Sequence, residues 1–314
     1  MKAIAGERAK RGKPFPTYLF VFLVPPLAVY ALFMIIPLFD SLRLSLYKTM
    51  GDGSEVFAGL GNFVQLFTSP NFAPRLWGSL KNNCVFFLIN TVVQNTIGLV
   101  LAVLLSRQRL RLRRLYLTVL FLPTMLSYVI VGFAWKLILS PVWGVSGAIL
   151  GFFGLGQLLQ PWLGMEGPAL VAVSLISVWQ WIGIPMMLFY AALLVIPNEL
   201  IEAATVDGVN AWQAFWKIKM PLLLPTIGMV EILTYVGNFN TFDIVYVMQN
   251  AVGAPNYSTD LLGTFFYRTF SGYGNLPGDP TMGTTIGSVM FLIILLGVLL
   301  YLFGWKRRVR TYEL

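Results

Sequence analysis

Asn198-Glu199-Leu200-Ile201-Glu202-Ala203-Ala204-Thr205-Val206-Asp207-Gly208 is a polar, helix-prone stretch inside a strongly apolar chain. It lies between two apolar runs, one over 169–196 without a charged residue and one over 222–248 whose only charges are Glu231 and Asp243. Each run exceeds the roughly 20 helical residues that cross a hydrocarbon core of about 30 Å. The quoted stretch is therefore the water-facing connection between two membrane spans. Composition agrees: 57% of residues are hydrophobic and 11% charged, against about 25% charged in soluble domains. Mean hydropathy is +0.74. The chain reads as an all-α, multi-pass membrane protein.

Working outward, spans are expected over 18–39, 84–105, 115–139, 169–196, 222–248 and 284–305. The basic residues cluster at one set of span ends: Lys2, Arg8, Lys10, Arg11 and Lys13 before the first, Arg107, Arg109, Arg111, Arg113 and Arg114 between the second and third, Lys217 and Lys219 beside the quoted loop, and Lys306, Arg307, Arg308 and Arg310 after the last. By the positive-inside rule both termini are cytoplasmic. Only Arg43, Lys48, Arg75, Lys81, Lys136 and Arg268 fall elsewhere. The organisation is a tail over 1–17, a membrane domain over 18–305 holding the loop 198–225, and a tail over 306–314. The first apolar run is too long for a signal-peptide core of about 7–15 residues. This distribution also accounts for the net charge of +9 without nucleic acid.

Two outer connections are long. After Pro141-Val142-Trp143-Gly144, the stretch 148–163 is too short and glycine-rich to cross and reads as an interfacial or re-entrant helix. The connection 249–283, with Gly253, Pro255, Gly272, Gly274, Pro277, Gly278 and Pro280, reads as irregular. Pro25, Pro26, Pro123 and Pro185 fall inside spans, where each bends the rod. Such bends serve packing or open a mid-bilayer cavity of the kind that holds a transported substrate.

Locally the 198–225 loop reads as two short helices. Asn198 caps the first and Gly208 stops it, while Asn210 caps a second that ends at Met220-Pro221. Trp212, Phe215 and Trp216 share a face. A helix pair this short depends on tertiary contacts. An amphipathic linker on the membrane surface is the plainer alternative. Glu199, Glu202 and Asp207 have the wrong sign for an anionic leaflet.

Glu202-Ala203-Ala204, Gly208, Ile218 and Pro221 resemble the EAA signature of the membrane-spanning subunits of bacterial ATP-binding-cassette importers. Asp207-Gly208, Trp212-Gln213, Phe215-Trp216 and Pro221-Leu222-Leu223-Leu224-Pro225 are similar to the carbohydrate-uptake permeases of the maltose and glycerol-phosphate type. Gly61-Asn62-Phe63 with Leu66-Phe67, and Leu122-Pro123, extend the likeness over most of the chain. Val209 and Met220 depart mildly, standing where alanine and leucine are usual. The resemblance implies a type I importer permease fold in the bacterial inner membrane. It also implies that Glu202, Ala203, Ala204, Asp207, Gly208 and Pro221 form a coupling element, which docks on a separate ATPase dimer that holds the ATP and Mg²⁺. Further implied partners are a second permease, an extracytoplasmic sugar-binding protein, a carbohydrate substrate and membrane lipid. The chain has no phosphate-binding loop of its own, since Gly12-Lys13 is followed by Pro14 and no glycine stands five positions before Gly12. A bound cofactor is not expected.

The same resemblance places the substrate near Trp181, Gly183, Asn238, Asn240 and Thr241. The chemistry suits a sugar, with aromatic faces for C–H surfaces and amides and hydroxyls for hydroxyl groups. Each polar residue has an alternative role in interhelical hydrogen bonding. No arginine lies within a span and Lys136 is near an outer end, so a neutral saccharide or polyol is favoured over an anion. Glu231 is open to several readings: wet near the cytoplasmic end, paired with a partner chain, or part of the substrate path. In the last case the rival is an ion-gradient-coupled transporter using Glu231. The absence of histidine and the single Cys84 exclude imidazole catalysis, a histidine-ligated metal and an intrachain disulfide. Cys84, in an apolar run, reads as a small buried hydrophobe.

Overall fold

The computed structural model describes residues 17–49, 54–107, 110–142, 144–158 and 160–307. The basic residues of the N-terminal tail, Arg109, Trp143, Arg308 and Arg310 lie outside the described residues. Among the described residues, four continuous apolar helices are long enough to cross a bilayer: Phe20–Leu44, Ala73–Leu105, Ala211–Phe239 and Pro280–Trp305. Two more crossings are bent pairs, Arg113–Met125 with Tyr128–Ile138 at 97°, and Glu166–Trp181 with Gly183–Val195 at 43°. In chain order these are the first to sixth spans.

Each bend has a local cause. In the third span Pro123 sits in a single 3₁₀ turn, Leu122–Met125, after which Leu126 is extended (φ −80°, ψ 141°). Ser127 then restarts the helix by accepting the N–H of Ile130 at 3.4 Å. In the fourth span Pro185 has no N–H to donate to the carbonyl four residues back, that of Trp181. The rod accordingly breaks at Ile182, between Trp181 and Gly183.

Prolines in the first and fifth spans are absorbed differently. A π-turn, Ala31–Ile35, precedes Pro37, and another, Phe215–Lys219, precedes Pro221. In both, the residue before the proline bonds five residues back, Ile36 to Ala31 and Met220 to Phe215. The wider turn relieves the clash that a proline ring makes with the carbonyl four residues back. Pro221 therefore does not end a second short helix as the sequence suggests. That helix runs on as the fifth span, which starts at Ala211 and stops at Phe239 rather than covering 222–248. The stop is polar: Asn238, Asn240 and Thr241 each bond back to the carbonyl four residues earlier. Asp243–Gln249 follows as a separate helix packed on the third span.

At the end opposite the basic one, two connections hold regular structure. A hairpin pairs Tyr47–Thr49 with Glu55–Phe57, Tyr47 opposite Phe57. Asn62, at the start of helix Gly61–Thr68, fixes it by donating to the carbonyls of Ser45 at 2.9 Å and Tyr47 at 2.7 Å. The glycine- and proline-rich connection before the sixth span contains helix Leu262–Ser271. Over 148–163 the order is instead less: helix Val145–Phe152 is closed by Gly154 in the left-handed region (φ +69°), and single turns Gly156–Leu158 and Trp162–Gly164 follow.

Packing divides the bundle by depth. Phe86, Val131, Val173 and Ile244 form a core in the half away from the basic end, and Ala102, Met186, Phe189 and Leu223 a second near the basic end. A third, with Leu66, Leu76, Phe265 and Ile286, joins the outer loops to the sixth span. The first span packs along the sixth and buries none of its described side chains. Cys84 is exposed on the second span rather than buried, because that span turns Asn83 inward instead.

Candidate functional site

At the basic end, helix Asn198–Val206 follows Pro197 and lies on the bundle through Ala204, which is buried, and Ile201, which packs against the inner core. Asn198 is its first helical residue. Glu202, Ala203, Asp207 and Gly208 are exposed together, and Val206 is 87% exposed. The helix closes in a Schellman arrangement: Gly208 N–H donates to Thr205 at 3.0 Å and Val209 N–H to Ala204 at 2.9 Å. Gly208 takes φ +80°, and the space around its Cα is open, so conformation and not crowding demands glycine there. Asn210 and Gln213 then form a reciprocal capping box. Trp212 and Trp216 meet edge to face at 5.7 Å, as do Phe215 and Trp216 at 5.2 Å. Of the six residues expected to couple, four share this outward surface, Ala204 anchors it from beneath, and Pro221 sits inside the fifth span.

Deeper in the bundle a cavity of about 310 Å³ opens where the break in the fourth span faces the end of the fifth. Trp181, Asn238 and Thr241 line it. Tyr128 and Trp181 present an aromatic pair with ring centroids 5.8 Å apart. The Asn238 amide donates to the Thr234 carbonyl at 2.8 Å and the Thr241 hydroxyl to that of Gly237 at 3.0 Å, so each side-chain oxygen remains as an acceptor. None of the lining residues is charged.

Gly183 and Asn240 are not among the lining residues. A Cβ on Gly183 would come within 3.0 Å of the Leu120 carbonyl oxygen and Phe121 Cα, so this glycine lets the fourth span press against the third. Asn240 is exposed and bonds back to Val236 at 3.0 Å. The lining also includes Asn90, Gln94, Ser177 and Thr234, which the sequence reading passed over. A signal for the first two was present: an amide pair at i, i+4 in an apolar span marks an inward face. The second span carries them on a π-turn, Asn90–Asn95.

Glu231 does not line the cavity. Its carboxylate accepts from Asn95 Nδ2 at 3.0 Å, and the same nitrogen reaches the Thr234 hydroxyl at 3.2 Å. Glu231 thus ties the fifth span to the second. At the end opposite the basic one Asp260 is buried against Arg268 at 2.7 Å. Burial pushes the Asp260 carboxyl above the ordinary aspartate range, opposed by the hydrogen bond and charge of Arg268.

A six-span bundle with an exposed, capped helix between its fourth and fifth spans and an uncharged polar cavity above it has relatives. Residues 94–309 match the family model described as binding-protein-dependent transport system inner membrane component. The chain belongs to this family. This inner membrane component is 34% identical to a probable ABC transporter permease protein, YurN, of Bacillus subtilis, over 80% of this chain and 84% of the relative. It is 33% identical to the lactose transport system permease protein LacF of Rhizobium radiobacter, over 79% and 81%. Its fold is that of a chain in the crystal structure of a bacterial alginate ABC transporter in complex with an alginate pentasaccharide-bound periplasmic protein, with a TM-score of 0.77, 22% identity and coverage of 94% and 96%. It is a multi-pass membrane protein with the type I importer permease fold.

Proposed function

We propose that this chain is one of two permease subunits of an ATP-driven importer that moves a neutral saccharide or polyol into the cytoplasm. A separate ATPase dimer holds ATP and Mg²⁺, and an extracytoplasmic binding protein delivers the substrate. The basic end of the bundle is the cytoplasmic one, by the positive-inside rule. The exposed helix Asn198–Val206 enters a groove on the ATPase, with Glu202 as its charged contact, Ala203 allowing close approach and Asp207-Gly208 shaping the exit. Ala204 and Ile201 carry the displacement into the inner core, and the unbroken helix from Ala211 carries it to Asn238 and Thr241.

The observation that carries the substrate class is the cavity itself. Its aromatic pair, amides and hydroxyls suit a sugar's C–H faces and hydroxyl groups, and no lining side chain would neutralise an anion. LacF, named for lactose transport, supports the same class. A second structural relative is a transporter involved in the import of the acidic polysaccharide alginate, and the uncharged wall argues for a different substrate here. In this reading Trp181 stacks on the sugar ring, Asn238 and Thr241 accept from its hydroxyls, Gly183 sets the width of the site and the exposed Asn240 offers an amide at its rim.

The test is uptake by the complex reconstituted in liposomes with ATP enclosed, using labelled neutral disaccharides and a uronate oligosaccharide. ATP-dependent accumulation of a neutral sugar is expected. Preference for the uronate would overturn the substrate class, and uptake driven by an ion gradient without ATP would overturn the mechanism.

A further inference from the structure

Asn83 is wholly enclosed on the second span and uses both ends of its carboxamide. Nδ2 donates to the backbone carbonyl of Asn238 at 2.9 Å, and Oδ1 accepts the N–H of Leu262 at 2.7 Å. The two partners fix the orientation of the amide, since a carbonyl can only accept and an N–H can only donate. Asn238 is a wall residue of the cavity, one position before the fifth span stops, and Leu262 is the first residue of the outer helix. One buried side chain thus joins the cavity wall to a helix whose far end, Phe270 and Ser271, is exposed.

The outer end of this link is stiff. Asp260 pairs with Arg268 at 2.7 Å and accepts the Thr264 hydroxyl at 2.7 Å, and that hydroxyl oxygen in turn accepts the N–H of Leu261 at 2.9 Å. Asn82, beside Asn83, donates to the Asp260 carbonyl at 3.0 Å. The inner end adjoins a change of conformation: the chain leaves the helix at Asn240 (φ −95°, ψ 0°) and turns at Phe242 (φ −135°, ψ −54°) before the next helix. Leu262, Phe265 and Phe239 share one apolar cluster. Moving the end of the fifth span away from the outer helix therefore requires breaking one of these two hydrogen bonds in an enclosed site, where an unpaired amide group is costly.

We propose that Asn83 is a positioning residue that makes helix Leu262–Ser271 and the Asn238 end of the fifth span move as one body, so that contact on the outer helix by the binding protein is felt at the saccharide site. This rests on the importer reading above. Asn83 is one of several enclosed polar residues on the second span, with Ser79, Asn90, Gln94 and Asn95, and the one among them that bonds to both Asn238 and Leu262.

The test uses the full complex purified from its native membrane and placed in nanodiscs. Asn83→Leu, close in size and without hydrogen bonds, is expected to keep basal ATPase within about twofold while the stimulation by loaded binding protein falls at least about tenfold. A residue that merely holds the fold would lower both in proportion, and that result would overturn the proposal. Hydrogen exchange on the unaltered complex decides independently, even if the variant does not assemble. ATP with vanadate should change protection over 236–242 and 262–271 together, and a change in one segment alone would refute the link. Absence of any ATPase, or of stimulation, in the unaltered complex would instead count against the importer reading.

Discussion

Helix Asn198–Val206 and the cavity beside Trp181 are specified at different ranges along the chain. The helix is set by neighbours: Pro197 precedes its first turn, Gly208 closes it through two local hydrogen bonds, and Asn210 and Gln213 start the next helix. The cavity is set by residues that meet only after folding, such as Asn90, Tyr128, Trp181 and Asn238 from four different spans. Its shape depends on a 97° bend, a 43° bend and the stop at Phe239. The loop leaves most of its polar surface exposed for a partner, whereas the cavity keeps polar atoms at a depth where they must face one another or a ligand. A substitution in the loop should therefore disturb docking and leave the bundle intact, and one in the wall should disturb the bundle or the substrate and leave docking intact.

The sharpest way to break this separation is Glu202→Lys. Its side chain is exposed, so thermal stability should be unchanged while ATP-driven uptake falls about thirtyfold, as expected for about 2 kcal/mol at a contact hot spot. A matching loss of stability would show that the loop is part of the fold. Gly183→Val, at the span contact beside the wall, tests the converse. Overpacking against the third-span backbone, at about 1–3 kcal/mol, should lower the melting temperature and reduce uptake about tenfold, with ATPase co-purification retained.

A finer comparison is available at Gly208. Alanine there must enter the left-handed region at a cost of about 1–2 kcal/mol, and a fivefold loss of uptake is expected. Asparagine, which tolerates that region better, should recover most of it. If both variants fail equally, space at the interface and not conformation selects glycine. The smallest effect is expected from Thr241→Val, which removes one hydroxyl acceptor worth about 0.5–1.5 kcal/mol. Half-saturation for the saccharide should rise about threefold with maximal ATPase unchanged.

The same contrast of range explains what was legible in the sequence. Span number, the basic end, the exposed helix and its glycine stop all follow from signals within a few residues. The fate of Pro221 did not, because a proline can end a helix or be absorbed by a π-turn, and the choice depends on the bundle around it. Leu262–Ser271 was hidden by the glycines and prolines on either side, although its own interior carries only Gly263. Asn240 and Asn238 look alike in sequence. Helical phase and the stop at Phe239 put one outside and the other in the wall. Cys84 and Asn83 differ by one position, which on a helix turns one outward and encloses the other.

The central claim is that the exposed helix is held by an ATPase. A photo-activated crosslinker attached at Val206→Cys, in a chain whose Cys84 is replaced by serine, tests it most directly in the complex kept in its native membrane. The same probe at Leu276→Cys, exposed at the opposite end, is the control. The account predicts that the Val206 adduct contains a phosphate-loop ATPase by mass spectrometry and the Leu276 adduct does not. An adduct of Val206 with lipid alone, or with the same partner as Leu276, would contradict it.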